Sequence, residues 1–254
     1  MLTALSGTTK VIARDVESGD GPFSCPSCKN EVNVKKGRIK IHHFAHKVNP
    51  DCKYGKGESE LHMAAKQEIY DCLCKIEWIE CEMEKIWGDV RSDVYARNKR
   101  TGEQFAIEVQ ISNLTLDEII HRTEAYQSLG IHVLWLPVLS EHYSLLTHSD
   151  THQPKIWEKW LHLLYFGRVY YWRKALEVVP VHFMESKKYI EANEYGGGYF
   201  KTMKREKQVV YGPSSVFPHQ FSSMNRSAFN TEKLFVPKAS IAIDKHPIWW
   251  KTSF

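Results

Sequence analysis

Val90–Ser112 reads VRSDVYARNKRTGEQFAIEVQIS. Both arms are rich in β-formers, and NKRTGE between them supplies a turn in which Gly102 can take a positive φ, so the stretch predicts an antiparallel hairpin. With the turn centred near Arg100 and Thr101, Asp93 and Glu108 fall close to opposite one another, where cross-strand partners sit ~5 Å apart. Gln110, two residues beyond Glu108, points to the same face. Both acids lie among apolar neighbours (Val90, Val94, Ile107, Val109), and ionised carboxylates in such surroundings need partners. Two facing carboxylates repel unless a cation lies between them, and oxygen ligands favour Mg²⁺ or Mn²⁺. Such a cation activates water and stabilises charge on a phosphoryl group.

Working outward, residues 58–76 (ESELHMAAKQEIYDCLCKI) predict an amphipathic helix in which Leu61, Ala65, Ile69, Leu73 and Ile76 recur at helical spacing and Ser59 can cap the start. Glu58, His62 and Lys66 follow at i, i+4 and i+8, forming a polar stripe beside the apolar one. Residues 78–97 and 103–112 read as strands. TLDEIIHRTEAYQSLG (115–130) predicts a second helix, with Thr115 and Glu118 as a capping box and Gly130 as its stop. On it, Arg122 and Tyr126 share a face at i and i+4, placed to contact a phosphate and order a catalytic carboxylate, or to form a plain surface pair. IHVLWLPV (131–138) reads as a buried strand reached by a right-handed crossover. The order is α-β-β-β-α-β, an α/β sandwich.

Upstream, residues 21–57 are rich in Cys and His. Cys25-Pro-Ser-Cys28 is a CxxC that can place two thiolates on one Zn²⁺, and His43, His46 and Cys52 offer the remaining ligands. His46 and Cys52 are favoured, with His43 as the substitute. Thiolate and imidazole select zinc over magnesium, and a unit of ~35 residues has too little core to hold itself without such a staple. EVNV and RIKIHHF can form a hairpin about the KKG turn, and NPDCKYGKG follows as a loop. Residues 1–20 read as a short strand or arm. Cys72, Cys74 and Cys81, on an apolar helix and the next strand, read as buried small hydrophobes rather than as disulfide partners.

The net charge of +4 is compatible with nucleic acid without arguing for it. No apolar run approaches the ~20 residues that span a bilayer, and the start lacks a secretory h-region, so the expectation is a cytoplasmic chain with no membrane contact. Three regions follow: 1–57, the arm and Cys/His unit; 58–140, the α/β core; 141–254, an aromatic-rich extension. In the last, IWEKWLHLLYFGRVYYW reads as helical or strand-like. Its Trp157, Trp160, Tyr165, Phe166, Tyr170, Tyr171 and Trp172 suit the core of a second lobe better than an interface or a stacking surface for single-stranded DNA. The tail after Glu191 reads as irregular.

The segments CPSCKNEVNVKKGRIKIHHFAHK, GESELHMAAK, VRSDV, IEVQIS and HRTEAYQSLGIHVLWL occur in this order over roughly residues 23–138. Together they resemble the CoiA-like competence protein family. The resemblance implies a restriction-endonuclease-like, PD-(D/E)XK-type fold and a role in DNA uptake and recombination, or in related DNA defence. By that likeness Asp93 matches the first metal-binding acid, Glu108 the acid of the E-x-K motif, and Glu58 the acid contributed by the first helix. Gln110 stands where the lysine would be; it can orient water or a phosphate oxygen, but it neither ionises nor carries charge. The expectation is a Mg²⁺- or Mn²⁺-dependent deoxyribonuclease with a structural zinc. Its residues are Asp93, Glu108, Glu58, Gln110 and Lys66 for catalysis, and His62, Arg122 and Tyr126 for DNA; recombination proteins are possible further partners. The competing expectation is a non-catalytic DNA-binding accessory on the same scaffold, motivated by Gln110. A third is a structural zinc protein that mediates protein contacts.

Overall fold

The computed structural model describes residues 1–48, 51, 52, 54, 58–111, 113–138, 151–184, 187–202, 208–212 and 214–246. Much of the expected 49–57 loop lies outside them. The chain divides into two compact units, Met1–Ile111 and Ser112–Phe254.

The first unit opens with β1 (Thr3–Ser6) and β2 (Thr9–Ile12), a hairpin turned at Gly7, whose φ of 61° the missing Cβ permits. The expected arm is therefore paired from its start. β3 (Phe23–Ser24), β4 (Glu31–Lys35) and β5 (His43–His46) complete a sheet in the order β2-β1-β3-β4-β5. The β4–β5 ladder pairs Val32 with His46 and Lys35 with His43. Arg38-Ile39-Lys40, expected within the second strand, lies in the connection instead, with Ile39 exposed. Phe23, Val32, Val34 and Phe44 bury against Cys25 and Cys52, so a small core surrounds the thiols.

α1 (Glu60–Cys74) is capped as expected, the Ser59 side chain accepting from His62 N–H. Ala65, Ile69 and Leu73 bury, while Leu61 is exposed, since the buried face turns through Met63 and Lys66 instead. The 78–97 segment is two strands, β6 (Ile79–Trp87) and β7 (Val90–Asn98), reversed at Gly88 with φ 62°. β8 (Gln104–Gln110) follows through the Asn98–Glu103 turn, where Gly102 N–H donates to Asn98 O at 2.7 Å. β6, β7 and β8 form an antiparallel meander, and α1 packs on all three strands.

α1 and β6 also correct the cysteine expectation. Cys74 ends the helix on its exposed side, and the short return into β6 sets Cys81 beside it with Cα atoms 6.1 Å apart, where the two form a disulfide. Cys72 stays free and half-buried.

The second unit begins with α2 (Leu116–Ser128), closed by the Thr115–Glu118 capping box. Gly130, at φ 69°, ends it, and β9 (His132–Pro137) follows. β10 (Thr151–His152) leads to α3 (Ile156–Leu164), β11 (Val169–Lys174) and β12 (Glu177–Met184). β13 (Lys187–Ile190) and β14 (Tyr199–Thr202) form a separate hairpin. Then come β15 (Gln208–Tyr211), β16 (Ser215–Val216), β17 (Phe221–Arg226), β18 (Phe229–Asn230), β19 (Phe235–Val236) and β20 (Ala239–Asp244). β20 runs parallel to β9 and antiparallel to β17, a mixed arrangement that α2 covers. The architecture is mixed α/β with few helices.

The tail is thus more regular than its composition suggests: Ala239–Asp244 is wholly buried. Trp157, Trp160, Tyr165, Tyr170, Tyr171 and Trp172 are buried core, as the second-lobe expectation requires, while Phe166 is only half-buried at a positive φ. Among the described residues no helix is long and apolar enough to cross a membrane.

One core pair makes this unit sensitive to acid. His182 Nδ1 donates to Gly167 O at 2.6 Å and lies 3.0 Å from His162 Nε2, which also accepts from Phe183 N–H. Burial, reinforced by the neighbouring His182, pushes His162 down to about 3. A histidine held neutral in the fold but titrating normally when unfolded stabilises above its unfolded pKa and loses that contribution as pH falls towards 3. Between pH 6.5 and 4.5 this residue should remove roughly 2–3 kcal/mol, at ~1.4 kcal/mol per pH unit. Urea unfolding of the wild type and His162→Gln at pH 7 and 4.5 checks it: the variant should be less stable at pH 7 and lose less on acidification, and equal losses would refute the assignment.

Candidate functional site

The register of the meander builds the site. Val94 pairs with Ile107, so one step further along the ladder Asp93 faces Glu108. On the other side, β6 pairs Met83 with Val94 and Lys85 with Ser92, which brings Glu84 opposite Asp93. Glu84 has φ 52°, and this local twist breaks the strand alternation so that Met83 and Glu84 both bury. Three acids therefore lie side by side across three strands under α1. Asp93, Glu108 and Gln110 are all buried.

Each acid meets different partners. Asp93 Oδ2 accepts from Val109 N–H at 2.9 Å and contacts His62 Nε2 at 3.1 Å, while Oδ1 is 3.6 Å from Lys66 Nζ. Glu84 accepts from Leu2 N–H, Thr3 N–H and the Thr3 hydroxyl, tying β1 to the meander, and from Lys66 at 2.7 Å. Glu58 precedes the helix rather than riding on it. Its Oε1 accepts from Lys66 and Arg91, each at 2.9 Å; Oε2 makes no hydrogen bond among the described residues and lies 3.2 Å from the amino group of Met1.

Lys66 is wholly buried at the centre of this cluster. Burial alone would lower its pKa, but Glu84, Asp93 and Glu58 outweigh that and raise it. Reciprocally, burial would raise the carboxyl of Glu84, and Lys66 and Arg91 hold it well below its ordinary value. Glu58 is lowered in the same way, against its own burial. For His62, burial pulls down and Asp93 pulls up, with a net rise. His62, expected to touch DNA, thus faces Asp93. Replacing Lys66 by Met should cost about 3–5 kcal/mol, because it takes from three buried carboxylates the one cation they share, leaving Arg91 to serve Glu58 and Glu84. In denaturant titrations the deficit should shrink at acid pH, where those carboxyls take up protons; a variant as stable as the wild type would contradict the pairing.

Arg122 and Tyr126 belong to the second unit. Arg122 is half-buried, its guanidinium 5.2 Å from the Trp135 ring centroid. Tyr126 is completely buried and presents no surface to a phosphate, which corrects the expectation of a direct contact.

In the N-terminal unit, Cys25, Cys28, His46 and Cys52 converge, with their ligand atoms all within 4.8 Å of one another. Cys25 Sγ and Cys52 Sγ are 4.0 Å apart, and Cys28 Sγ and His46 Nε2 3.3 Å. A tetrahedral ion with ~2.3 Å Zn–S bonds needs ligand separations of roughly 3.7 Å, which these bracket. The CxxC turn presents the first pair, β5 presents His46, and the loop after it returns Cys52. His43 stands outside the cluster, its Nδ1 donating to Ile41 O at 2.8 Å. Burial pushes the Cys25 thiol up to about 11. The Cys28 thiol is lowered, because hydrogen bonds from the Asn30 N–H and the neighbouring thiols outweigh its burial. Four soft donors in a small core suit a metal such as zinc.

Among the described residues no second group of three His, Cys, Asp or Glu side chains converges so closely. A cation at Asp93 and Glu108 would therefore complete its shell from the Gln110 carboxamide, backbone oxygens or water. That donor set fits Mg²⁺, which keeps several waters when bound by one or two carboxylates.

Sequence reasoning missed Glu84. Glu80, Glu82 and Glu84 alternate along β6 as on a solvated face, and nothing local marks the third as buried.

A Cys/His cluster able to hold a metal, preceding a nuclease-like α/β region, is the class of protein that this geometry and the family comparison define. Residues 6–55 match the model "Competence protein CoiA, N-terminal domain", and residues 58–162 match "Competence protein CoiA, nuclease-like domain". The chain belongs to the CoiA-like competence protein family. The competence protein CoiA of Bacillus subtilis (strain 168) is 34% identical over 117 residues, which is 45% of this chain and 31% of that relative. The match thus spans less than a third of the relative's length. No solved structure matches.

Proposed function

We propose that the chain is a Mg²⁺- or Mn²⁺-dependent deoxyribonuclease that works in the cytoplasm on DNA taken up or recombined during competence. The observation that carries this reading is the alignment of buried Asp93 and Glu108 on neighbouring strands, with Gln110 on the same face and Lys66, Glu58 and Glu84 locked behind them. Asp93 and Glu108 would hold the cation, which would supply Lewis acidity and lower the pKa of a bound water. Gln110 can orient a water or a phosphate oxygen through its carboxamide and takes no proton. His62 and Val109 N–H fix the Asp93 carboxylate in one rotamer. Lys66, 3.6 Å from Asp93, is a fixed positive charge and not a base, since its raised pKa keeps it protonated. Zinc at Cys25, Cys28, His46 and Cys52 is structural in this reading, and Arg122 contributes charge towards DNA.

The test is incubation of single-stranded, duplex and branched DNA with Mg²⁺, Mn²⁺ or EDTA. Cleavage that requires the added cation supports the reading. DNA binding without turnover in either cation would replace it with the accessory-protein reading, which Gln110 keeps in view because it lacks the charge of a lysine.

A further inference from the structure

The β13–β14 hairpin is a two-stranded sheet of its own. Its ladder pairs Lys188 with Lys201, Tyr189 with Phe200 and Ile190 with Tyr199. Strand alternation puts Lys187, Tyr189 and Phe200 on one face and Lys188, Lys201, Ile190 and Tyr199 on the other. Each face therefore sets lysine beside aromatic rings. Those rings are exposed: Tyr189 51%, Tyr199 55% and Phe200 70%. Tyr189 and Phe200 make a tilted pair with centroids 5.1 Å apart. Exposed aromatics clustered on one small ribbon are unusual on a protein that leaves them uncovered. Two lysines directly opposite one another are also unfavourable on a bare hairpin, which is marginal alone.

A ligand that carries both regular negative charge and flat apolar surface answers both features. We propose that this hairpin binds single-stranded DNA on its Lys187–Tyr189–Phe200 face, with bases stacked on Tyr189 and Phe200, a phosphate on Lys187, and Lys188 and Lys201 adding positive potential from across the thin ribbon. Unpaired bases expose their faces to such a ribbon, while a duplex hides them. An acidic peptide would engage the lysines and leave the rings idle. From the proposed function the inference takes only that the partner is DNA.

The experiment is fluorescence anisotropy of a labelled 20-nucleotide oligothymidylate with the full chain and no added Mg²⁺ or Mn²⁺, so that binding is read without cleavage. Tyr189→Ala with Phe200→Ala should weaken binding about tenfold or more. Lys188→Ala with Lys201→Ala should lower the salt slope by about one unit, while affinity for a duplex of equal length changes less than about twofold. Cleavage with added Mg²⁺ is measured separately on the same proteins: wild-type binding that the hairpin substitutions weaken, with no cleavage in any cation, sinks the nuclease reading and leaves the hairpin inference standing. Wild-type affinity in both hairpin variants overturns the inference. So does a loss confined to anionic phosphatidylglycerol vesicles. Unchanged thermal melting shows that the variants are folded; should the aromatic pair unfold the ribbon, the lysine pair alone decides.

Discussion

Asp93→Asn should reduce cation-dependent DNA cleavage by about a thousandfold or more, without unfolding the protein. The substitution is nearly isosteric, so the carboxamide that replaces the carboxylate can still accept from Val109 N–H through its carbonyl oxygen, the contact that Asp93 makes at 2.9 Å. What disappears is the negative charge. A carboxamide is a poor ligand for a hard divalent cation, and a thousandfold loss corresponds to about 4 kcal/mol of transition-state stabilisation, within what a bound metal supplies. Glu108→Gln should match it, and the double variant should fall little further, because two ligands of one ion act as a unit. The measurement is initial cleavage rate across a Mn²⁺ titration, with circular dichroism as the folding control. A right-shifted titration that recovers the full rate would assign Asp93 to affinity alone. Cleavage by Asp93→Asn at the wild-type rate throughout would remove this site from the chemistry.

The contrast between what sequence reveals and what it hides follows from the range of the interactions. Local signals are visible: Ser59 and the Thr115–Glu118 box cap their helices as their spacing predicts. The Asn98–Glu103 turn sets a register that brings Asp93 against Glu108, because one turn fixes every later pair. The Cys/His cluster is legible for a similar reason, since a CxxC and a following H-x5-C carry their own geometry. Glu84 is not. Its burial depends on a positive φ within β6 and on donors from Leu2 and Thr3, some eighty residues away. Lys66 could be placed on a polar stripe but not in the interior, because two of the three acids that neutralise it, Glu84 and Asp93, come from the meander beneath α1. The late strands escaped notice because they are short and paired at long range: Ala239–Asp244 acquires its parallel partner, β9, about a hundred residues earlier in the chain.

If Cys25, Cys28, His46 and Cys52 hold zinc as proposed, its removal should be felt well beyond those four residues. Cys25 and Cys52 lie inside the same small core as Phe23, Val32 and Phe44, and that core also holds Met1 and Ala4 at the start of the chain and within β1. Binding free energies of structural zinc in small units are ~10 kcal/mol or more and appear as folding free energy. Even if half of that is recovered by the remaining contacts, Cys25→Ser with Cys28→Ser should lose ~5 kcal/mol. For a chain of this size that lowers the melting temperature by roughly 10–20 °C. The loss should reach the candidate active site through β1. Leu2 and Thr3 present their N–H groups and a hydroxyl to Glu84, and Glu84 in turn holds Lys66 against Glu58 and Asp93. When β1 detaches, Glu84 loses its neutral donors and pulls harder on Lys66, so the positive charge behind Asp93 shifts. The double variant should therefore melt early and also cleave more slowly at temperatures where α1 and the meander remain folded. Metal analysis should give one zinc per wild-type chain and none in the variant. A zinc-free wild type, or a double variant that melts with the wild type, would show that the four ligands are packed as thiols and imidazole without a metal. A variant that melts early yet cleaves at the full rate while folded would break the link through Glu84 and leave the zinc role intact.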